Sequence, residues 1–121
     1  MPDTTHTPTA RPTVVVLCGS TRFWEQLAEA AVYETTAGRI VLAPNCNLRR
    51  PHPLWDYPAT ADRVKRMMDN LHLRKIDMAD EVLVVDPGGY IGDSTRREID
   101  YALSLGKPVR YTHPVTEVDR G

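Results

Sequence analysis

The run Thr13-Val14-Val15-Val16-Leu17-Cys18 is β-branched or apolar at every position, with no polar residue alternating in. A strand of that kind has both faces covered, and helices on either side of a parallel sheet are the usual cover. It is read as a central parallel strand. The turn Gly19-Ser20-Thr21-Arg22 follows, and Phe23 to Tyr33 places apolar residues at helical intervals with acids between them, in a helix ended by Gly38. Arg39 to Ala43 is a second strand, and the proline-rich stretch from Pro44 to about Thr60 is a long loop, a length usually tied to function or disorder. Residues 60–79 read as a helix with Val64, Met67, Met68, Leu71 and Ile76 on its apolar stripe and Arg63, Lys65, Arg66, Asp69 and Arg74 facing out. Glu81 to Asp86 is a third strand, Ser94 to Leu105 a helix closed by Gly106, and Lys107 to Thr112 a last strand near an edge, because Pro108 cannot donate to a ladder. Strand and helix alternate throughout. That order implies a three-layer α/β sandwich, a parallel sheet flanked by helices of the flavodoxin-like or Rossmann-like kind.

A chain of 121 residues fits one domain. Residues 1–12, rich in Thr and Pro, are expected to form a disordered arm, 13–115 the domain and 116–121 a tail. The 15 Lys and Arg nearly balance 16 Asp and Glu, so there is no basic field for polymeric nucleic acid and a small ligand is expected. No apolar run approaches the roughly 20 residues that span a bilayer, and the first residues lack the blocks of a signal peptide, so a cytoplasmic protein without membrane partner is expected. Cys18 and Cys46 have the spacing of neither a metal site nor a redox pair, which leaves a reduced, metal-free chain without cofactor as the default.

Chemistry concentrates at two turns. After the third strand, Pro87-Gly88-Gly89-Tyr90-Ile91-Gly92 leads into Asp93-Ser94-Thr95-Arg96-Arg97-Glu98, which sets the carboxylate of Glu98 early in a helix beyond a strand's carboxyl end, where ligands of open α/β sheets bind. Glu98 is thus a candidate nucleophile or acid/base. The spacing Thr95-x-x-Glu98 also fits a capping box, in which Glu98 folds back onto a backbone amide. The first turn opens a helix, so its amides and dipole suit an anion, with Ser20, Thr21 and Arg22 as further donors. An ordinary strand-to-helix turn with Ser20 or Thr21 as N-cap accounts for all of it but Arg22.

On Cys18-Gly19-Ser20-Thr21-Arg22-Phe23 and the segment around Glu98, in that order, residues 13–112 resemble the nucleoside 2-deoxyribosyltransferase superfamily, including its nucleoside 5′-monophosphate N-glycosidase branch. The resemblance implies that Glu98 attacks the anomeric carbon of the sugar, in keeping with how a carboxylate traps an oxocarbenium-like sugar. It also implies a nucleotide or nucleoside substrate, a phosphate or substrate site over Cys18 to Phe23 with Gly92, Ser94 and Thr95, and a homodimer or larger homo-oligomer. Asp93 is the nearest match to an aspartate that contacts substrate in the family's transferases, and is otherwise a helix cap. His72 stands where the family commonly has a catalytic aspartate; an imidazole there suits proton transfer or orientation of Glu98, while a lone helical His is also a common packing residue. Phe23 suits either the core or the sugar, and Trp55 and Tyr57 suit either a nucleobase or a subunit seam. The expected activity is hydrolysis of the N-glycosidic bond of a nucleoside 5′-monophosphate. Base exchange on deoxyribose and a non-catalytic nucleotide-binding module are the alternatives.

Overall fold

Strand β1 (Val14–Cys18) lies between β2 (Ile40–Leu42) and β3 (Glu81–Val84), and β4 (Val109–Tyr111) pairs with the outer side of β3, all in parallel. The computed structural model describes residues 11–113, so the tail expected over 116–121 and all but Arg11 and Pro12 of the expected arm lie outside the described residues. The apolar run sits at the sheet's centre and β4 at its edge, as the sequence predicts. Period-two alternation sends Val15 and Leu17 to one face, against Leu27 and Ala30 of α1 (Trp24–Thr36). Val16 and Cys18 go to the other, against Ile76 of α2 (Pro58–Met78) and Ile99 and Ala102 of α3 (Asp93–Ser104). Both faces of β1 are covered by helices, which makes the fold the expected three-layer sandwich. Truncating a fully buried anchor such as Ile76 to Ala costs about 2–5 kcal/mol at sites of this kind.

Helix α2 departs from its predicted face. Its buried line is Val64, His72 and Ile76, with Met68 half-buried, a strict i, i+4 progression, while Met67 and Leu71 are 49% and 46% exposed. His72 therefore occupies a core position that the apolar pattern assigns to Leu71. The helix starts at Pro58, whose fixed φ suits a first helical position. Residues 43–57 contain no helix or strand, and local bonds hold them: the Trp55 indole donates to the Arg50 carbonyl at 2.8 Å and the Asp56 carboxylate accepts from the His52 amide at 2.7 Å.

Charges gather at the amino ends of the strands. Arg110 donates to Glu34 and Glu81, Arg39 lies 3.5 Å and 3.6 Å from the same two acids, and Arg11 makes a two-point contact with Asp80, which also accepts from the Val14 amide. At the carboxyl ends, Gly19 packs so closely that a Cβ there would lie 2.7 Å from the Val85 carbonyl oxygen. The β3–α3 turn needs positive φ at Gly88 and Gly89, 64° and 83°. Among the described residues no helix is long and apolar enough to cross a membrane.

Candidate active site

Because β1 alternates, the last side chain facing α2 and α3 is that of Cys18, and it meets His72 and Glu98 at the carboxyl end of the sheet. The Cys18 Sγ lies 3.4 Å from His72 Nε2, and His72 Nε2 lies 3.7 Å from Glu98 Oε1. Three elements thus deliver three chemically active groups to one point. Above them opens a cavity of about 670 Å³, lined by Gly19, Ser20 and Thr21 from the first turn and by Gly92, Asp93, Ser94, Thr95 and Glu98 from α3 and its approach. Its far wall is α2, through Lys65, Asp69, His72 and Lys75, and the long loop contributes Asn45, Cys46 and Arg49. That volume is in the range of small-molecule sites.

The protonation of the floor is set by burial. Desolvation pushes the Glu98 carboxyl up to about 7, against an opposing hydrogen bond from the Cys18 thiol and with a further upward push from Asp69. Desolvation lowers His72 to about 4, helped by the nearby charge of Lys75. The Cys18 thiol is raised well above its ordinary value, first by burial and then by Glu98. Near neutrality the imidazole is neutral, the thiol protonated and the carboxylate in its titration range. Sulfur, nitrogen and oxygen donors from the three residues all lie within 4.8 Å of one another, the one group of potential metal ligands among the described residues.

Helix α3 begins at Asp93 with Gly92 at its N-cap, so Glu98 lies beyond the first turn and the capping-box geometry does not form. Asp93 does not cap the helix either; it lies exposed in the first turn, at the cavity rim. Thr95 is buried and Ser94 half-buried. In the first turn, Ser20 accepts from the Arg22 amide at 3.2 Å, which is the N-cap arrangement of a short 3₁₀ turn over Thr21–Phe23.

Three residues expected at the phosphate or substrate site lie elsewhere. Cys18 is fully buried beneath the cavity, with its thiol committed to His72 and Glu98. Arg22 lies over the Tyr90 ring at 4.4 Å and is not part of the cavity lining. Phe23 packs edge-on against the same ring at 5.7 Å. Trp55 stacks on His52 and Tyr57 is exposed, neither of them at the cavity.

The arginine that does line the cavity is Arg49, whose Nε donates to Thr21 Oγ1 at 3.2 Å. Sequence reasoning misses it, because a single Arg in an irregular loop carries no periodic signal. The helical pattern turns Asp69 and Lys65 outward, yet they form an ion pair at 3.0 Å on the cavity wall, one turn and two turns ahead of His72. Helical spacing carries a hint of this: residues three and four apart share a helix face, so a buried His72 brings Asp69 and Met68 round with it.

No protein-family model matches the sequence, and no curated protein does. Among solved structures, the chain is similar to a 2-deoxyribosyltransferase from the psychrotolerant bacterium Bacillus psychrosaccharolyticus, with a TM-score of 0.61 and 19% sequence identity over 88% of this chain and 78% of that one. At this level of identity the likeness is one of architecture: the chain has the fold of a 2-deoxyribosyltransferase.

Proposed function

We propose that this chain is an enzyme that cleaves the N-glycosidic bond of a nucleoside 5′-monophosphate and releases the free base, with Glu98 as nucleophile. The observation that carries the reading is a largely buried carboxylate at the floor of a ligand-sized cavity whose rim is rich in anion donors. In the reaction, a Glu98 carboxylate oxygen attacks the anomeric carbon as the bond to the base nitrogen breaks and its electron pair leaves with the base. The developing positive charge on the sugar is what a partly desolvated carboxylate stabilises. Water then cleaves the glycosyl ester, its hydroxyl going to the sugar and its proton, in net terms, to the base.

The remaining residues take supporting roles. Ser20, Thr21, Arg49, Ser94 and Thr95 gather hydroxyls, amides and a guanidinium where a 5′-phosphate would sit. His72 is neutral near pH 7, so it serves better to position Glu98 and Cys18 than to protonate the departing base. Asp93 at the rim and Asp69 on the wall are the other carboxylates that line the cavity. The reading includes a cytoplasmic homo-oligomer, to which the exposed Met67 and Leu71 beside the cavity would contribute apolar contact.

The fold likeness favours a second reading, transfer of deoxyribose between bases, in which a second base replaces water at the ester. Chromatography decides between them. The protein and its Glu98→Gln variant are incubated with ribo- and deoxyribonucleoside 5′-monophosphates and the matching nucleosides, with and without acceptor base. Base release from monophosphates alone, lost in the variant, is the expected result; exchange only with acceptor present would make the chain a transferase. Turnover of nothing by the unaltered protein would overturn both and leave a binding module.

A further inference from the structure

We propose that Cys18, His72 and Glu98 form a binding site for a thiophilic divalent cation, Zn²⁺ by the character of its donors, with the fourth position open to the cavity. The geometry is close to what the ion requires. Tetrahedral zinc, with bonds of about 2.3 Å to sulfur, about 2.0 Å to nitrogen and about 2.1 Å to oxygen, sets sulfur and nitrogen about 3.5 Å apart and nitrogen and oxygen about 3.4 Å apart. Here those separations are 3.4 Å and 3.7 Å, with all three donor atoms inside 4.8 Å. Each donor comes from a different element, β1, α2 and α3, and each element is fixed by the core cluster that contains Val16, Ile76 and Ile99. The ligand cage is therefore assembled before any ion arrives.

The donor set selects the ion. A thiolate and an imidazole discriminate against Mg²⁺ and Ca²⁺, which take oxygen, and three protein ligands with one open position are characteristic of accessible rather than purely structural zinc. Charge also balances: one thiolate and one carboxylate cancel the two positive charges, so the buried assembly is neutral. Binding displaces the Cys18 thiol proton, and any proton on Glu98, to bulk water, with no change of oxidation state. The cations that act on the site already have partners, Lys75 Nζ the Ala43 carbonyl at 2.7 Å, Lys65 the Asp69 carboxylate at 3.0 Å and Arg97 the Ser94 hydroxyl at 3.2 Å.

The consequence rests on the reading of Glu98 as nucleophile: a bound ion takes the oxygen that would attack the sugar, so zinc is an inhibitor and its removal restores turnover. Residues 18, 72 and 98 are far apart in the chain, which is why cysteine spacing alone gives no sign of such a site.

The test is a titration of chelator-stripped protein with Co²⁺ at fixed neutral pH, followed by Zn²⁺. The expected result is one equivalent bound, with a near-ultraviolet thiolate-to-cobalt charge-transfer band and the visible bands of tetrahedral cobalt, both abolished by Zn²⁺. Cys18→Ser should remove the charge-transfer band and His72→Ala should weaken binding by more than about 100-fold, beyond what loss of an outer-shell partner does. Cys46→Ser should leave the band unchanged, although Cys46 also lines the cavity. Absence of a saturable band in the unaltered protein overturns the proposal whatever the variants do, as does a band that follows Cys46. If cobalt binds as described but metal-free protein turns nothing over, the cation site stands and the catalytic reading fails. Turnover without cobalt binding has the opposite meaning: the catalytic reading stands and the cation site is overturned.

Discussion

His72 and Glu98 meet at 3.7 Å in the interior, where burial works against the charged form of both. Burial lowers the imidazole to about 4 and raises the carboxyl to about 7, so the first has lost its proton before the second gives one up. Between those values both are neutral, and above about 7 a carboxylate faces a neutral ring. The pair stores a carboxylate that ionises late, next to partners that do not neutralise it.

The pH profile of base release should show this. A nucleophile must be ionised, so kcat/KM of metal-free protein is expected to rise with pH and level off above about 7, the value to which Glu98 is raised. Initial rates in chelator-containing buffers across that range are the measurement. A rate that falls as pH rises through 7 would remove Glu98 from the nucleophile's role.

Stability should run the other way. A carboxyl whose folded value is raised favours folding in its protonated form, so its contribution is intact below the ordinary value of 4.5 and is lost as pH rises through about 7. Glu98→Gln has no such loss. Denaturant unfolding should find the variant more stable than the unaltered protein at pH 8, by on the order of 1–3 kcal/mol, with the difference shrinking in acid. Gain of stability with loss of activity is the signature of a strained functional group.

Arg49→Ala should raise KM for nucleoside 5′-monophosphates by about 10–100-fold, the worth of a charge-assisted hydrogen bond to phosphate, and leave free nucleosides unaffected. Arg22→Ala, which removes a cation stacked on Tyr90, should change KM for the two substrate classes equally if at all. Steady-state kinetics on matched substrate pairs separate the two arginines.

Most of the fold is legible in the sequence. A six-residue apolar run bounded by a Gly turn has few places to go except the middle of a parallel sheet, and each later strand and helix carries its own period and stop signal. Glu98 is legible for the same reason, since its place in the chain fixes its place beyond β3. The long loop is not: Arg49 is positioned by irregular backbone and by a hydrogen bond to Thr21, 28 residues away, and no local pattern encodes such a contact. Helix α2 misleads because Met67 and Leu71 are more apolar than His72, so composition assigns the buried face to them. The face is decided instead by Val64 and Ile76, and His72 is tolerated inside because it stays neutral and finds Cys18.

Gly19→Ala should be costly in spite of its small size. The added carbon would lie 2.7 Å from the Val85 carbonyl, a contact only backbone movement can relieve. A loss of about 1–3 kcal/mol in thermal or chemical unfolding is expected, as for overpacking elsewhere. The first turn would shift with it, so any folded variant should also bind phosphate-bearing ligands less tightly.

The ionic clamps and the cavity occupy opposite poles of this sheet. The ionic clamps of Glu34, Glu81, Arg39 and Arg110, with Arg11 and Asp80 beside them, grip the amino ends of the strands, while the turns that line the cavity hang from the carboxyl ends. The two poles share little beyond the apolar interior between them. Away from Gly19, whose close packing ties the first turn to Val85, drift in the turn segments can therefore reshape the cavity without touching those clamps, and an architecture divided this way lends itself to diversification by loop exchange.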